Sequence, residues 1–82
     1  MADRLKDKVA IVVGGATGIG RATAVRFAKE GGLVMIADRN VSEMEKTLQL
    51  SRQYGSDVDQ VAVDVSKWNQ VENMVDVTLR RY

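Results

Sequence analysis

The chain has 82 residues, enough for one small domain, and its net charge of +1 provides no basic field for nucleic acid. It contains neither Cys nor His, which excludes disulfides and thiol chemistry and removes the commonest metal ligand. No signal peptide is recognisable, and apolar runs of about five residues are far shorter than a membrane helix. We therefore expect a soluble, cytoplasmic protein that neither associates with a membrane nor binds a metal.

The hydrophobic pattern begins with a strand and a helix. Val9–Val13 is a continuous apolar run, typical of a strand buried on both faces of a parallel sheet. A helical pattern follows over residues 21–30 and stops at the glycine pair 31–32. Its predicted packing face consists of Ile19, Thr23 and Phe27, and the small side chains of Ala24 and Ala28 keep the packed side of the helix thin.

A second strand and helix come next. Leu33–Ala37 is predicted to be a buried strand that ends at Asp38. Ser42 and Glu45 have the spacing of a capping box at the start of the second helix. One face of this helix is predicted to carry Val41, Met44, Leu48 and Ser51.

The third unit repeats this order. After a turn at residues 54–57, residues 60–63 are predicted to form a strand that ends at Asp64, and Ser66 is predicted to cap the last helix. The apolar stripe of that helix is predicted to be Trp68, Val71, Val75, Leu79 and Tyr82. Strands that alternate with helices through short turns predict an α/β fold with a parallel sheet.

The connection between the first strand and helix is rich in glycine. Gly14 permits a tight exit from the strand, Gly18 lets the backbone approach a phosphate, and Gly20 lets the helix approach the sheet. Backbone N–H groups and the helix dipole suit a diphosphate at this place. With Asp38 placed 18 residues after Gly20, the pattern favours a nucleotide site over an ordinary βα turn.

The glycine spacing narrows this interpretation. The common fingerprint G-x-G-x-x-G/A fails at Thr23, and no Lys follows Gly20 as a P-loop requires. The spacing G-x-x-x-G-x-G resembles the T-G-x-x-x-G-x-G motif of the short-chain dehydrogenase/reductase family, with Val13 at the position of the family threonine. The resemblance runs from about Leu5 to Tyr82 and implies a Rossmann-type sheet with flanking helices in an NAD(P)-dependent oxidoreductase.

The resemblance also implies roles for individual residues. The amides of Thr17, Gly18 and Ile19, with the Thr17 hydroxyl, would hold the pyrophosphate. Asp38 would accept hydrogen bonds from the adenosine ribose and repel a 2′-phosphate, which favours NAD. The implied cofactor set is Gly14, Thr17, Gly18, Ile19, Gly20, Asp38, Arg39, Asp64 and Val65.

Three members of this set have alternative interpretations. Arg39 could pair with the 2′-phosphate of NADP, stack on adenine, or be an ordinary solvated residue. Asp64 and the Val65 amide look like the family's adenine contacts, or else belong to a plain turn before a helix.

The family's catalytic residues are missing from these 82 residues. The family uses a Ser and a Tyr-x-x-x-Lys pair, whereas Val58 lies four residues after Tyr54, and Tyr82 ends the sequence. We therefore expect residues 1–82 to be a partial NAD(P)-binding domain truncated after the third helix. With the family strand order 3-2-1, the first strand would have an open edge, so we expect the isolated polypeptide to be weakly stable or self-associated.

Two functional hypotheses follow. In the first, the chain is the cofactor-binding part of a homo-oligomeric oxidoreductase that transfers hydride between nicotinamide and a small alcohol or ketone. In the second, it is a non-catalytic half-Rossmann module that binds ADP or NAD.

Overall fold

Three strands and three helices alternate along residues 5–82, the part of the chain that the computed structural model describes. The sheet is parallel with the order β1-β2-β3, and β2 pairs with both neighbours through the registers Val9 to Leu33 and Val34 to Val58. The predicted Rossmann-type α/β fold is thus confirmed. The elements are β1 (Val9–Val13), α1 (Gly18–Lys29), β2 (Leu33–Asp38), α2 (Val41–Arg52), β3 (Val58–Ala62) and α3 (Trp68–Arg81).

The helices cover the two faces of the sheet unequally. Successive side chains of a strand point to opposite faces, so Ile36 and Ala37 belong to different cores. The larger core lies under α1 and α2, and the smaller one lies under α3, where Met74 packs near Val63. The larger core consists of Val12, Ala16, Ala24, Ala28, Val34, Ile36, Met44, Leu48 and Val58.

Strand β1 departs from the prediction. Val12 is buried, but Val9, Ile11 and Val13, on the opposite face, are 49%, 36% and 52% exposed. The predicted burial on both faces is wrong for β1 because this strand lies at the sheet edge and α3 packs against β3 instead. In β2, the central strand, residues 34–37 are fully buried, as predicted.

Helix α1 begins earlier than the sequence pattern indicates. It starts at Gly18, within the glycine turn, rather than at Arg21. Ala24 and Ala28 are buried and Phe27 packs beside them, whereas Ile19 is 87% exposed, so its predicted place on the packing face is wrong. The small alanine side chains let α1 approach the sheet closely, and the contact is centred on them rather than on the first turn.

Both predicted helix caps are also wrong. Asn40 caps α2, and its Oδ1 accepts a hydrogen bond from the Glu43 N–H at 3.1 Å, so the helix begins before Ser42 and Glu45 can form a capping box. The N-cap of α3 is Lys67, which makes no side-chain cap. Ser66 instead donates its hydroxyl to Asp64 within the preceding turn.

The last strand and helix differ from the prediction in extent and in the buried stripe. Strand β3 covers residues 58–62 rather than 60–63, because it pairs with β2 from Val34 to Asp38. Met74 and Thr78 are the buried residues of α3. The predicted stripe is exposed at three members: Trp68, Val75 and Leu79.

On the second helix, Thr47 joins Met44, Leu48 and Ser51 as the buried residues, whereas Val41 is 53% exposed. The predicted face is therefore correct at three positions and wrong at Val41, which lies in the first turn of α2. A polar residue thus completes the buried face of an otherwise amphipathic helix.

The C-terminal end of α3 is hydrogen-bonded to the amino ends of β2 and β3, at the opposite end of the strands from the glycine turn. The Tyr82 hydroxyl lies 3.1 Å from the Val34 carbonyl oxygen and 3.0 Å from that of Asp57, and it donates to this pair. Burial raises the pKa of Tyr82 to about 12, so the hydroxyl remains a donor even in alkaline solution, where an ordinary tyrosine ionises near its pKa of about 10.

We predict that Met44→Ala lowers the free energy of unfolding by about 2–5 kcal/mol, because it opens a cavity between α2 and the sheet. Urea unfolding followed by circular dichroism measures the loss. Val41→Ala on the same helix is the control, since Val41 is 53% exposed. Equal losses in the two variants would show that the core does not lie under this face.

Candidate functional site

The glycine turn after β1 combines two left-handed residues with one close backbone contact. Gly14 and Gly18 have φ values of +78° and +58°, and a Cβ on either would meet nothing within 4 Å. A Cβ on Gly20 would instead lie 1.9 Å from the Gly14 carbonyl oxygen. The turn is therefore open on its outer side, while glycine at position 20 is required by the packing of α1 against the turn.

The N-terminus of α1 is free of competing groups. Thr17 is its N-cap in an extended conformation, and its side chain makes no capping hydrogen bond. No acidic residue occupies the first turn. The N–H groups at the start of a helix lack intrahelical partners and carry partial positive charge, so the end of α1 beside the open turn suits a phosphate.

Asp38, at the carboxyl end of β2, is hydrogen-bonded to the glycine turn. Its Oδ2 accepts from the Ala16 N–H at 3.0 Å, and its Oδ1 accepts from the Asn40 N–H at 3.1 Å. The Asn40 N–H, more than the Ala16 N–H, lowers the pKa of Asp38 against the opposing effect of desolvation. Each carboxylate oxygen keeps a further lone pair, so an ionised Asp38 can still accept from a ligand hydroxyl.

Asp64 begins the turn that follows β3. Its Oδ1 accepts from the Ser66 hydroxyl at 2.6 Å and from the Ser66 N–H at 3.0 Å, and these bonds lower the pKa of Asp64. The Asp64 N–H donates to Gln70 Oε1 at 2.7 Å, which ties the turn to α3. Arg39 Nε lies 4.0 Å from Asp64 Oδ2, and the Arg39 side chain is 75% exposed.

The three turns meet at the carboxyl edge of the sheet. One shallow cleft is lined by Val13, Gly14, Ala37, Asp38, Arg39, Val63 and Val65. An adjoining cleft brings Arg39 together with Asp64 and Gln70. The structure therefore brings Gly14, Asp38, Arg39, Asp64 and Val65 to one place, where an open α/β sheet receives its ligand.

Residues 17–20 stand beside these clefts rather than in their lining. Thr17 to Gly20 form the N-cap and first residues of α1. The side chain of Ile19 is 87% exposed and has no hydrogen-bonding group, so only the backbone N–H of this residue is suited to a phosphate. The role of each of these residues toward a cofactor stays a prediction.

Several contacts of the site were missed from the sequence. Ala16 and Asn40 supply the N–H groups that hold Asp38, and Gln70 holds the turn of Asp64. Thr47 of α2 contacts the glycine turn through the Ala16 carbonyl oxygen, and Arg21 of α1 donates to Thr47. Asn40 had a recognisable signal, since Asn immediately before a helix is a common N-cap, whereas the others depend on tertiary contacts.

Other kinds of site find no support in residues 5–82. Within that range, no three His, Cys, Asp or Glu residues are grouped so that they could hold a metal ion. Within the same range, every helix is too short or too polar to cross a membrane.

We predict that Gly20→Ala destabilises the protein by about 1–3 kcal/mol, because its Cβ would collide with the Gly14 carbonyl oxygen. The direction of the change in unfolding free energy distinguishes a close contact from open space, since Gly→Ala at an open helical position stabilises a protein by about 1 kcal/mol. Chemical unfolding measures the change. Ala22→Ser, at an exposed position one half-turn further, is the matched control, and a stabilised Gly20→Ala variant would refute the close contact.

A second prediction concerns pH. Because the pKa of Asp38 is lowered in the folded chain, its contribution to stability is complete above the unfolded pKa and is lost as pH falls through the folded value. We expect Asp38→Asn to reduce the loss of unfolding free energy below about pH 4. Unfolding curves between pH 6 and pH 3 test this, and identical acid limbs for variant and parent would contradict it.

Comparison with known proteins agrees with this geometry. The family model for short chain dehydrogenases matches residues 8–82. An uncharacterised oxidoreductase of Bacillus subtilis is 44% identical over 73 residues, which are 89% of this chain and 27% of that protein. A short-chain dehydrogenase/reductase homologue of the same bacterium is 34% identical over 77 residues, which are 93% of this chain and 71% of the homologue.

Solved structures superpose closely on the same region. NAD⁺-bound xylitol dehydrogenase has a TM-score of 0.92 and 32% identity, over 95% of this chain and 30% of that one. An alcohol dehydrogenase of the archaeon Thermococcus sibiricus, complexed with 5-hydroxy-NADP, has a TM-score of 0.86 and 33% identity, over 94% of this chain and 33% of that one. The chain thus spans about a third of these enzymes. A family match that extends over all three strands and three helices of residues 5–82 shows that it belongs to the short-chain dehydrogenase/reductase family.

Proposed function

We propose that this chain provides the adenosine and pyrophosphate-binding part of an NAD-dependent short-chain oxidoreductase. The observation that carries the proposal is the position of Asp38, whose carboxylate is fixed beside the open glycine turn by the N–H groups of Ala16 and Asn40. In a dinucleotide the ribose is attached to the diphosphate. Its hydroxyl would therefore meet the Asp38 carboxylate while the diphosphate lies at the adjacent N-terminus of α1.

Each part of the cofactor has an assigned place in this proposal. The N–H groups of Thr17, Gly18 and Ile19, with the Thr17 hydroxyl, receive the pyrophosphate, for which the uncapped start of α1 is suited. Asp38 receives the ribose hydroxyls. Asp64 and the N–H of Val65 receive the edge of adenine, in the clefts between β2 and β3.

NAD is preferred over NADP in the proposal because the Asp38 carboxylate is ionised at neutral pH and held in place. A 2′-phosphate would meet this negative charge at close range. Arg39 favours the opposite choice, since its 75% exposed side chain is 4.0 Å from Asp64 and free to turn toward a phosphate. In this proposal the fixed carboxylate outweighs Arg39, because it cannot move away from a 2′-phosphate, while the Arg39 side chain would have to be ordered.

The hydride transfer itself is proposed for a complete reductase, of which this chain would form the cofactor-binding part. Tyr-x-x-x-Lys does not occur in the 82 residues, so the alcohol or ketone substrate would react on residues outside them. We propose that such a reductase acts on a small molecule in the cytoplasm as a homo-oligomer.

A second candidate is a non-catalytic module that binds the ADP part of nucleotides. The short-chain dehydrogenase/reductase homologue of Bacillus subtilis favours it, because a 77-residue match covers 71% of that relative. A homologue only modestly longer than this chain is thus known. Calorimetry of the purified chain with NAD, NADP, ADP and AMP tests the module, and failure of all four to bind would refute it.

We predict that Asp38→Ala weakens NAD binding about ten-fold and does not weaken NADP binding, because only NAD has a 2′-hydroxyl to donate to the carboxylate and the change removes the charge that repels a 2′-phosphate. Calorimetry with both cofactors measures the ratio of the two dissociation constants. Arg39→Ala is the matched control at the next residue, for which we expect NAD binding to change less than three-fold, about 0.6 kcal/mol. A parent chain that prefers NADP would contradict the role given to Asp38.

A further inference from the structure

Thr47, on α2, places a buried hydroxyl against the glycine turn. Its side chain is fully buried, and its Oγ1 donates to the Ala16 carbonyl oxygen at 3.2 Å. The same Oγ1 accepts from Arg21 Nε at 2.9 Å. One hydroxyl thus joins the turn after β1, the first turn of α1, and α2, although Thr47 is far from these residues in sequence.

Arg21 supports this hydroxyl from the other side. Its second guanidinium nitrogen donates to the Glu43 carbonyl oxygen at 3.0 Å and to Glu43 Oε2 at 2.9 Å. Lys46 Nζ lies 3.0 Å from Glu43 Oε1 and completes the group. With side-chain exposures of 27% and 29%, Arg21 and Glu43 are shielded from solvent enough to hold one geometry.

The result is a double restraint on Ala16. Its N–H donates to Asp38 Oδ2, and its carbonyl oxygen accepts from Thr47, so the peptide groups on both sides of this residue are fixed. Ala16 is 1% exposed and immediately precedes Thr17, the N-cap of α1. The direction of the Thr17 N–H follows from the orientation of the Ala16 carbonyl group, because the two belong to one planar peptide unit.

We propose that Thr47 and Arg21 are positioning residues that hold the glycine turn in the geometry that receives a diphosphate. The proposal rests on the proposed function of this turn. Neither residue contacts the ligand itself. A valine at position 47 would match the shape of threonine but leave the Ala16 carbonyl oxygen and Arg21 Nε without their partner.

The test compares Thr47→Val with Thr47→Ser and with Ser51→Ala. Ser51 is the matched control: it lies one turn further along the same buried face of α2, it is fully buried, and within residues 5–82 its hydroxyl has no hydrogen-bond partner. Two quantities are measured in each variant: the dissociation constant for ADP by calorimetry, and the hydrogen-exchange rates of the N–H groups of residues 16–19 by NMR.

We expect Thr47→Val to weaken ADP binding about ten-fold and to speed exchange at residues 16–19, the effect of one lost hydrogen bond. Thr47→Ser should restore both quantities, since it keeps the hydroxyl. Ser51→Ala should leave both within two-fold of the parent. Rescue by serine separates positioning from a general loss of packing.

Three outcomes would overturn the proposal. In the first, Thr47→Val keeps the ADP dissociation constant and the exchange rates of the parent chain. In the second, Thr47→Ser does not restore these two quantities. In the third, Ser51→Ala changes them as much as Thr47→Val does. If the parent chain does not bind ADP, the proposed function fails, but exchange at residues 16–19 still decides whether Thr47 positions the turn. If Thr47→Val does not fold, Arg21→Lys replaces it, because this change at a part-exposed residue keeps the positive charge near Glu43 but removes the guanidinium whose Nε donates to Thr47, and unchanged exchange in that variant refutes the proposal.

Discussion

The close contact between Gly20 and the Gly14 carbonyl oxygen is the constraint on which the rest of the site depends. A Cβ on Gly20 would lie 1.9 Å from that oxygen, so only glycine lets α1 begin directly beneath the end of β1. The approach brings the start of the helix to the same edge as Asp38 and Asp64. If α1 stood farther out, its N-terminus would no longer lie beside the two adjoining clefts that Asp38 and Asp64 line.

The two faces of the sheet differ in how much of their apolar surface is covered. Under α1 and α2 the core is continuous, whereas on the other face Ile11 and Val13 of β1 are exposed. Trp68 and Leu79, on the outer flank of α3, are each 73% exposed. The chain spans about a third of the solved enzymes that it matches. The stability of the 82-residue chain therefore depends mainly on the α1–α2 face, which is also the face that carries the contacts of the glycine turn.

Much of the fold could be predicted from local pattern, and the errors have identifiable causes. The order of elements follows from apolar runs such as Leu33–Ala37 and from glycine stops, both of which are local. The exposure of Val9 could not be predicted from the apolar run Val9–Val13, because an edge strand and a central strand can have the same apolar sequence and differ only in their neighbours in the sheet. Asn40 and Lys67 replaced the predicted caps because capping depends on where the chain turns into the helix. At the site, Asp38 was identifiable by spacing, but Thr47 was not, because its hydrogen bonds to Ala16 and Arg21 join residues far apart in sequence.

The restraint on Ala16 has a consequence for how a ligand would bind. Its peptide groups are already hydrogen-bonded to Asp38 and Thr47, so this part of the turn keeps its shape when no nucleotide is present. Ordering the backbone of one residue costs about 1–2 kcal/mol of conformational entropy. A turn that is ordered beforehand spares the ligand that cost at each restrained position. The association rate should then be set by diffusion and orientation of the dinucleotide rather than by the closing of a loop.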